Sequence, residues 1–236
     1  MSHFTVSVIT EGCPLDNGVL EEVLAPYYEH DESFYEFINA EDRYKYDYKK
    51  LKGKYPTIES YYKDYLGLEY NEEEGAYGYY ANPNAKWDWY QVGGRWSGML
   101  TTKQGEICDC ARIKDVVIPD YSDDYDNAIR KWELIVEGAQ PVTEEEKEML
   151  EFNFYTPEYY TNNFGSKEEY AEYCSTFTTL AVIDKDGQWH EEGEVLYFGM
   201  VDSNKGQMIE YTRRFKDIVF NNAGDNDYIT IVDCHI

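Results

Sequence analysis

Apolar and polar positions alternate near both ends of the chain and recur at helical spacing through its second half. Residues 4–9, Phe-Thr-Val-Ser-Val-Ile, alternate apolar with small polar side chains and predict a strand. Residues 228–235 predict another, 195–201 a further one and 116–118 a short one. Within 178–191 an apolar run turns at Asp186-Gly187 and returns through Gln188-Trp189-His190, a hairpin signal. Ala128, Ile129, Trp132, Ile135 and Val136 fall at helical spacing and predict a helix over 127–136, stopped by Gly138. Ile209, Phe215, Ile218 and Val219 predict another over 206–221. Thr143 with Glu146, and Ser166 with Glu169, have capping-box spacing, so each predicts the start of a short acidic helix. Earlier in the chain, 19–28 predicts a short helix stopped or kinked near Pro26. Residues 33–66 predict helix in pieces, with Pro56 opening a helix over 57–65, and 71–81 predict a loop.

Tight hairpins make antiparallel sheets, and helices set apart from them make an α+β fold. The expected sheet joins the N-terminal strand to the C-terminal hairpin strands. Tyrosine-rich acidic helices and a tryptophan-rich hairpin are inserted between them. The expected organisation is a single domain over 1–236, with largely helical insertions at 30–80 and 102–175.

The tryptophan-rich stretch runs Asn82-Pro-Asn-Ala-Lys-Trp-Asp-Trp-Tyr-Gln-Val-Gly-Gly-Arg-Trp-Ser-Gly-Met-Leu100 and holds three of the five tryptophans. Gly93-Gly94 between strand-forming residues is a hairpin signal. On a strand, Trp87, Trp89 and Gln91 share one face, while Asp88, Tyr90 and Val92 share the other. Two readings stand side by side. In one, the hairpin plugs a core, and Arg95 and Trp96 pack on its return strand. In the other, the ligand-binding residues are Trp87, Asp88, Trp89, Tyr90, Gly93, Gly94, Arg95 and Trp96. Aromatic faces stack a base, worth roughly 1–3 kcal/mol, Arg95 grips a phosphate or carboxylate, and the glycines let the backbone approach the ligand.

Charge narrows the list of partners. The chain has 47 acidic residues against 21 basic ones, a formal charge of -26. That sign repels a phosphate backbone, so direct nucleic-acid binding is not expected. An acidic surface maintains solubility, or imitates a nucleic acid before a basic groove on another protein. The 25 tyrosines lie largely among acids, as in Tyr61-Tyr62-Lys-Asp-Tyr65 and Tyr170-Ala-Glu-Tyr173. They read as amphipathic helices or as part of such a mimic. The five cysteines, at 13, 108, 110, 174 and 234, suggest no disulfide framework. The start lacks the basic and apolar regions of a secretory signal, and no run of about 18 apolar residues spans a membrane. The expected setting is a reducing cytoplasm.

Candidate chemistry concentrates at the C-terminus, Asp233-Cys234-His235-Ile236. On a strand Asp233 and His235 share a face and Cys234 takes the other, so Cys234 and His235 make a poor nucleophile–base pair. If the terminal strands are neighbours, His3, Asp233 and His235 converge as candidate catalytic groups. Cys108-Asp-Cys110 resembles half a metal site, but no second pair follows at the usual spacing, so no metal or cofactor is expected. His190, Glu191, Glu192 and Glu194 read as an acidic hairpin end or an acid–base group.

These segments resemble, over the whole length, a family of uncharacterised bacteriophage and prophage proteins. The resemblance rests on Met1-Ser-His-Phe-Thr-Val-Ser-Val-Ile9, on Leu24-Ala-Pro-Tyr27 with Glu29, and on Asn82-Pro-Asn84, Lys86-Trp-Asp-Trp-Tyr90 and Gly93-Gly-Arg-Trp96. It continues through Ala181-Val-Ile, Asp186-Gly187, Trp189, Glu192-Gly193-Glu194 and Thr230-Ile-Val-Asp-Cys-His-Ile236. The chain departs at Tyr28, where the family often has histidine. The resemblance implies a phage accessory protein acting in the cytoplasm of the infected cell. The expected function is a counter-defence binding protein, sequestering a nucleotide-like ligand or engaging a host protein. The alternative is an enzyme acting on nucleotides or related phosphorylated small molecules.

Overall fold

The computed structural model describes residues 2–15, 18–51, 53–195, 201–202 and 206–236. The chain forms two compact units: Met1–Val23 with Tyr90–Ile236, and Leu24–Trp89. It begins with strand β1, His3–Glu11, buried along all but its ends. Helix α1, Val19–Leu24, tightens into the 3-10 turn Ala25–Tyr27 at Pro26. Proline fits there because a first-turn N–H has no helical partner to lose.

The second unit carries strand β2, Glu36–Asn39, helix α2, Glu41–Leu51, the single turn α3, Ile58–Ser60, and strands β3, Glu69–Asn71, and β4, Ala76–Ala81. Thr57 opens α3 with a reciprocal cap: its hydroxyl accepts from the Ser60 N–H and its own N–H donates to the Ser60 hydroxyl. A wider turn, Tyr61–Tyr65, continues the element. The three strands pair antiparallel in the order β2-β4-β3. This corrects the expected loop over 71–81 and the helical reading of 36–39. In β4, burial falls on Ala76 and Gly78, the alternate positions of a strand. Tyrosines build the core of this unit. Tyr61 and Tyr62 are buried with Ala40 and Leu68, and Tyr44, Tyr48, Tyr55, Tyr77 and Tyr79 pack around them. Much of the tyrosine enrichment here is therefore internal packing.

The chain returns to the first unit through β5, Trp89–Val92, a 3-10 turn, Gly94–Trp96, and the short strands β6, Leu100–Thr101, β7, Ile107–Cys108, and β8, Cys110–Arg112. The expected tryptophan-rich hairpin does not form. β5 lies beside the C-terminal strand, and β6 pairs with β7. Gly93 and Gly94, with φ of 68° and 52°, lead into the 3-10 turn, so residues 95–99 form no return strand. Helices α4, Ser122–Ile135, α5, Glu144–Glu151, α6, Pro157–Asn163, and α7, Lys167–Cys174, follow. Only Val116 of 116–118 makes a bridge, to Thr102. Strands β9, Ala181–Ile183, and β10, Trp189–Glu191, form the expected hairpin across Gly187, whose φ is 78°. Strands β11, Glu194–Val195, and β12, Val201–Asp202, pair with each other; the strand expected over 195–201 falls mostly on residues 196–200, which lie outside the described ones. Helix α8, Gln207–Lys216, and strand β13, Asp227–His235, complete the chain.

The main sheet runs β10-β9-β1-β13-β5, with β8 also pairing β13. β1 and β13 are antiparallel over their full lengths, from His3 opposite His235 to Glu11 opposite Asp227. β1 is parallel to β9, so the sheet is mixed at that pair. The fold is α+β, with the terminal strands at its centre. One core cluster joins Ile9, Val182, Ile229 and Ile231 of the sheet to Tyr211, Phe215 and Val219. Burying each such side chain contributes roughly 1.5–3 kcal/mol. Thr5 and Ser7 of β1 are satisfied by the chain before β9: the Thr179 hydroxyl donates to Ser7 Oγ at 3.0 Å, and the Leu180 N–H to Thr5 Oγ1 at 3.3 Å. A second cluster, Ala128, Trp132, Tyr160, Phe164, Tyr170 and Ala171, holds helices α4, α6 and α7 together. Among the described residues no helix is long and apolar enough to cross a membrane.

Candidate functional site

The β1/β13 register brings the two ends of the chain to one spot. His3 and His235 are direct partners on one sheet face, with Asp233 opposite Thr5 on the same face. The carboxylate of Asp233, 2% exposed, reaches diagonally to His3, with Nδ1 2.8 Å from Oδ1. A carboxylate only accepts, so Nδ1 carries the proton and Nε2 lies on the opposite side of the ring. The His235 ring stands edge-on to His3, with centroids 5.0 Å apart and planes at 72°. The expected convergence of His3, Asp233 and His235 is therefore present.

The Gly93-Gly94-Arg95-Trp96 turn docks on the same carboxylate. The Arg95 N–H donates to Asp233 Oδ2 at 3.0 Å, and the Gly93 N–H donates to the Ile231 carbonyl at 2.8 Å. A second aspartate holds the far side of the turn. Asp109 Oδ1 accepts from the Gly98 N–H at 2.6 Å, and its Oδ2 accepts from the Ser97 hydroxyl at 3.0 Å. A Cβ at Gly93 would run into Asp109, and one at Gly94 into Asp233. These glycines therefore let the backbone approach two aspartates of the chain itself, the physical reason side chains are absent there. Asp109 carried no local signal in the sequence, because its partners lie eleven and twelve residues away in the chain.

The other sequence candidates are divided between the two units. The boundary between the two units falls between Trp89 and Tyr90, so Trp87, Asp88 and Trp89 belong to one and Tyr90 to Trp96 to the other. Trp87 is 7% exposed, stacks on Tyr28 at 4.7 Å, and donates its indole N–H to the Leu24 carbonyl at 3.3 Å. It is a packed ring within its own unit, not an open stacking face. Trp89 is 48% exposed. Trp96 packs against the core beneath the main sheet. Arg95 is exposed, and its guanidinium makes no ion pair among the described residues. Burial raises the Tyr90 hydroxyl pKa, with Glu21 close by adding to it.

Cys234 is fully buried, and burial beside Asp233 pushes its thiol pKa well up, so it is no thiolate nucleophile. Burial likewise raises Cys110 to about 11, and its sulfur accepts from the Thr230 hydroxyl at 3.2 Å. Among the described residues no group of three or more His, Cys, Asp or Glu side chains is arranged to hold a metal. The acidic end of the β9–β10 hairpin disperses: His190 Nε2 pairs with Asp184 at 2.7 Å, Glu191 accepts from the Trp189 indole at 2.8 Å, and Glu192 from the Tyr173 hydroxyl at 3.2 Å. Comparison with protein-family models, curated proteins and solved structures finds no match for this chain.

Proposed function

We propose that the chain is a phage-encoded accessory binding protein, acting against host defence in the infected cell by sequestering a nucleotide-like, phosphorylated small molecule. The observation that carries this reading is the meeting of His3 and the Arg95 turn on one buried carboxylate, Asp233, with the His235 ring set edge-on against His3. Three segments that carry the phage resemblance meet there. The exposed guanidinium of Arg95 is a donor suited to phosphate oxygens, and His3, whose Nδ1–H is given to Asp233, adds a second donor at Nε2 when its ring is imidazolium. They gather on a chain of charge -26, whose remaining surface does not favour anions. Of the expected ligand-binding residues, this reading relies on Gly93, Gly94 and Arg95, joined by His3 and His235 of the expected catalytic set. The test is native mass spectrometry of the protein purified from phage-infected cells. The expected result is a bound small molecule whose mass fits a nucleotide-like compound, lost in Arg95→Ala and His3→Ala variants that still fold. A chain that carries no small molecule, and shows no heat on titration with nucleoside mono-, di- and triphosphates, overturns the reading.

A second reading has its own support in the 2.8 Å His3–Asp233 contact. An imidazole oriented by a buried carboxylate is the arrangement of a general acid or base. On this reading the chain is an enzyme on nucleotides or related phosphorylated compounds, with Arg95 as the electrophilic clamp. Incubation with the ligand found above separates the two: a sequestering protein returns it unchanged, whereas an enzyme returns a product at a rate lost in His3→Ala.

A further inference from the structure

The loop between helices α5 and α6 places its aromatic side chains in solvent. Phe152 is 71% exposed, Phe154 91% and Tyr155 53%, and Val142, just ahead of α5, is 78% exposed. Phe152, Phe154 and Tyr155 fall within four consecutive residues, and exposed large apolar side chains clustered like that mark an interaction surface. The loop is also held in shape. The Asn153 amide donates to the Tyr155 carbonyl at 2.6 Å, and its oxygen accepts from the Tyr160 hydroxyl at 3.1 Å. Tyr160 is fully buried in the core of the helical layer. Asn153 thus points inward and its two neighbours in sequence point out. Tyr155 stacks on Tyr159 at 4.1 Å, which fixes the far end. A loop already ordered in its presenting form loses little freedom on binding.

The surroundings decide the occupant. From Val142 through Glu158 there are six glutamates and one lysine. Glu146 is tied to Arg130, and the other five, Glu144, Glu145, Glu148, Glu151 and Glu158, are exposed. An acidic rim disfavours an anionic lipid surface or a nucleic acid, and it disfavours a second copy of a chain of charge -26. It favours a partner surface that is apolar in the centre and basic at the edge, as on an amphipathic helix flanked by lysine and arginine. We propose that loop 152–155 is a docking surface for a protein partner that offers the apolar face of a helix bordered by lysine and arginine. This goes beyond the small-molecule reading and does not depend on it.

The test uses the full chain and two synthetic helical peptides with the same leucine-rich face, one flanked by lysines and one by glutamines. Titration calorimetry is expected to show binding of the lysine peptide, at least tenfold weaker to Phe152→Ser/Phe154→Ser, a variant with unchanged charge. The glutamine peptide is expected to bind wild type at least tenfold more weakly than the lysine peptide. The two phenylalanines are exposed, so the variant is expected to keep its melting temperature; should the double variant misfold, Phe154→Ser alone carries the same comparison. Equal binding by variant and wild type would reduce the effect to charge alone and overturn the proposal. Failure of the lysine peptide to bind wild type, or equal binding of the glutamine peptide, overturns it as well. So does concentration-dependent self-association in sedimentation velocity that disappears in Phe154→Ser, which would make a second copy the occupant. None of these variants touches His3, Asp233, His235 or Arg95, so this surface and the ligand site fail independently.

Discussion

Gly94 shows how a single backbone position holds the candidate site together. Its φ is 52°, and a Cβ there would strike the side chain of Asp233. Asp233 in turn holds His3 and the Arg95 N–H. Gly105 offers a comparison within the same unit, with φ of 82° and open space where a Cβ would stand. Gly105→Ala therefore suffers only the left-handed backbone cost, about 1–2 kcal/mol. Gly94→Ala adds displacement of a buried carboxylate from its donors, about 1–3 kcal/mol more. The expected result in urea unfolding is a clearly larger loss for Gly94→Ala, accompanied by shifts of the His3 and His235 ring resonances. Equal losses would mean that Asp233 yields without consequence and that the turn is not what positions it. At this scale the histidines and Asp233 were legible because a strand fixes which residues share a face. Asp109 was not, because a side chain that caps a turn from the link between two short strands leaves no periodic trace.

At the level of elements, the regular strands were readable and the irregular ones were not. Alternation located β1 and β13, and an Asp-Gly turn located the β9–β10 hairpin. The Gly-Gly pair misled, since two glycines mark a turn without saying which. Here hydrogen bonds to Ile231 and Asp233 draw the chain into a 3-10 turn in place of a hairpin. β4 was hidden because tyrosine, polar at its tip, blurs the contrast between faces. The two predicted capping boxes show a related shift. Thr143 and Ser166 do accept from Glu146 and Glu169, but those carboxylates reach the N–H groups of Val142 and Gly165, one residue ahead of the cap. Glu146 also takes Arg130 at 2.7 Å, and chiefly that contact, with Val142 next, lowers its pKa from 4.5 to about 2. A carboxylate whose folded pKa is depressed stabilises the fold above its unfolded value and loses that contribution as pH falls toward the folded one. Glu146→Gln is therefore expected to unfold at lower urea than wild type at pH 7. The gap should narrow as pH falls from 4.5 toward 2. A gap of constant size across that range would assign the effect to shape and not to charge.

For the whole molecule, the sign of the salt effect follows from counting. With 47 acids and 21 basic residues, most acidic side chains have no cation to pair with. The cations that are paired sit mainly on exposed helix surfaces, as Arg213 with Glu172 at 3.0 Å and Lys147 with Glu144 at 2.6 Å. Exposed pairs are worth only about 0–1 kcal/mol each, whereas repulsion acts among all the remaining acids. Salt weakens both, and the repulsion is the larger sum. Raising sodium chloride from about 0.01 M to about 0.15 M shortens the screening length from about 30 Å to about 8 Å. The melting temperature is expected to rise, by about 2–4 °C for each kcal/mol of repulsion removed from a chain this size. The same field is expected to keep duplex DNA away even at low salt, where a basic binder would hold it most tightly. Scanning calorimetry across that salt series checks the first expectation, and a gel-shift titration at the lowest salt checks the second. A melting temperature that falls with salt would place local ion pairs above global repulsion. In that case the acidic surface would be a stabilising network, and the case for it as a partner-selecting field would lose its physical basis.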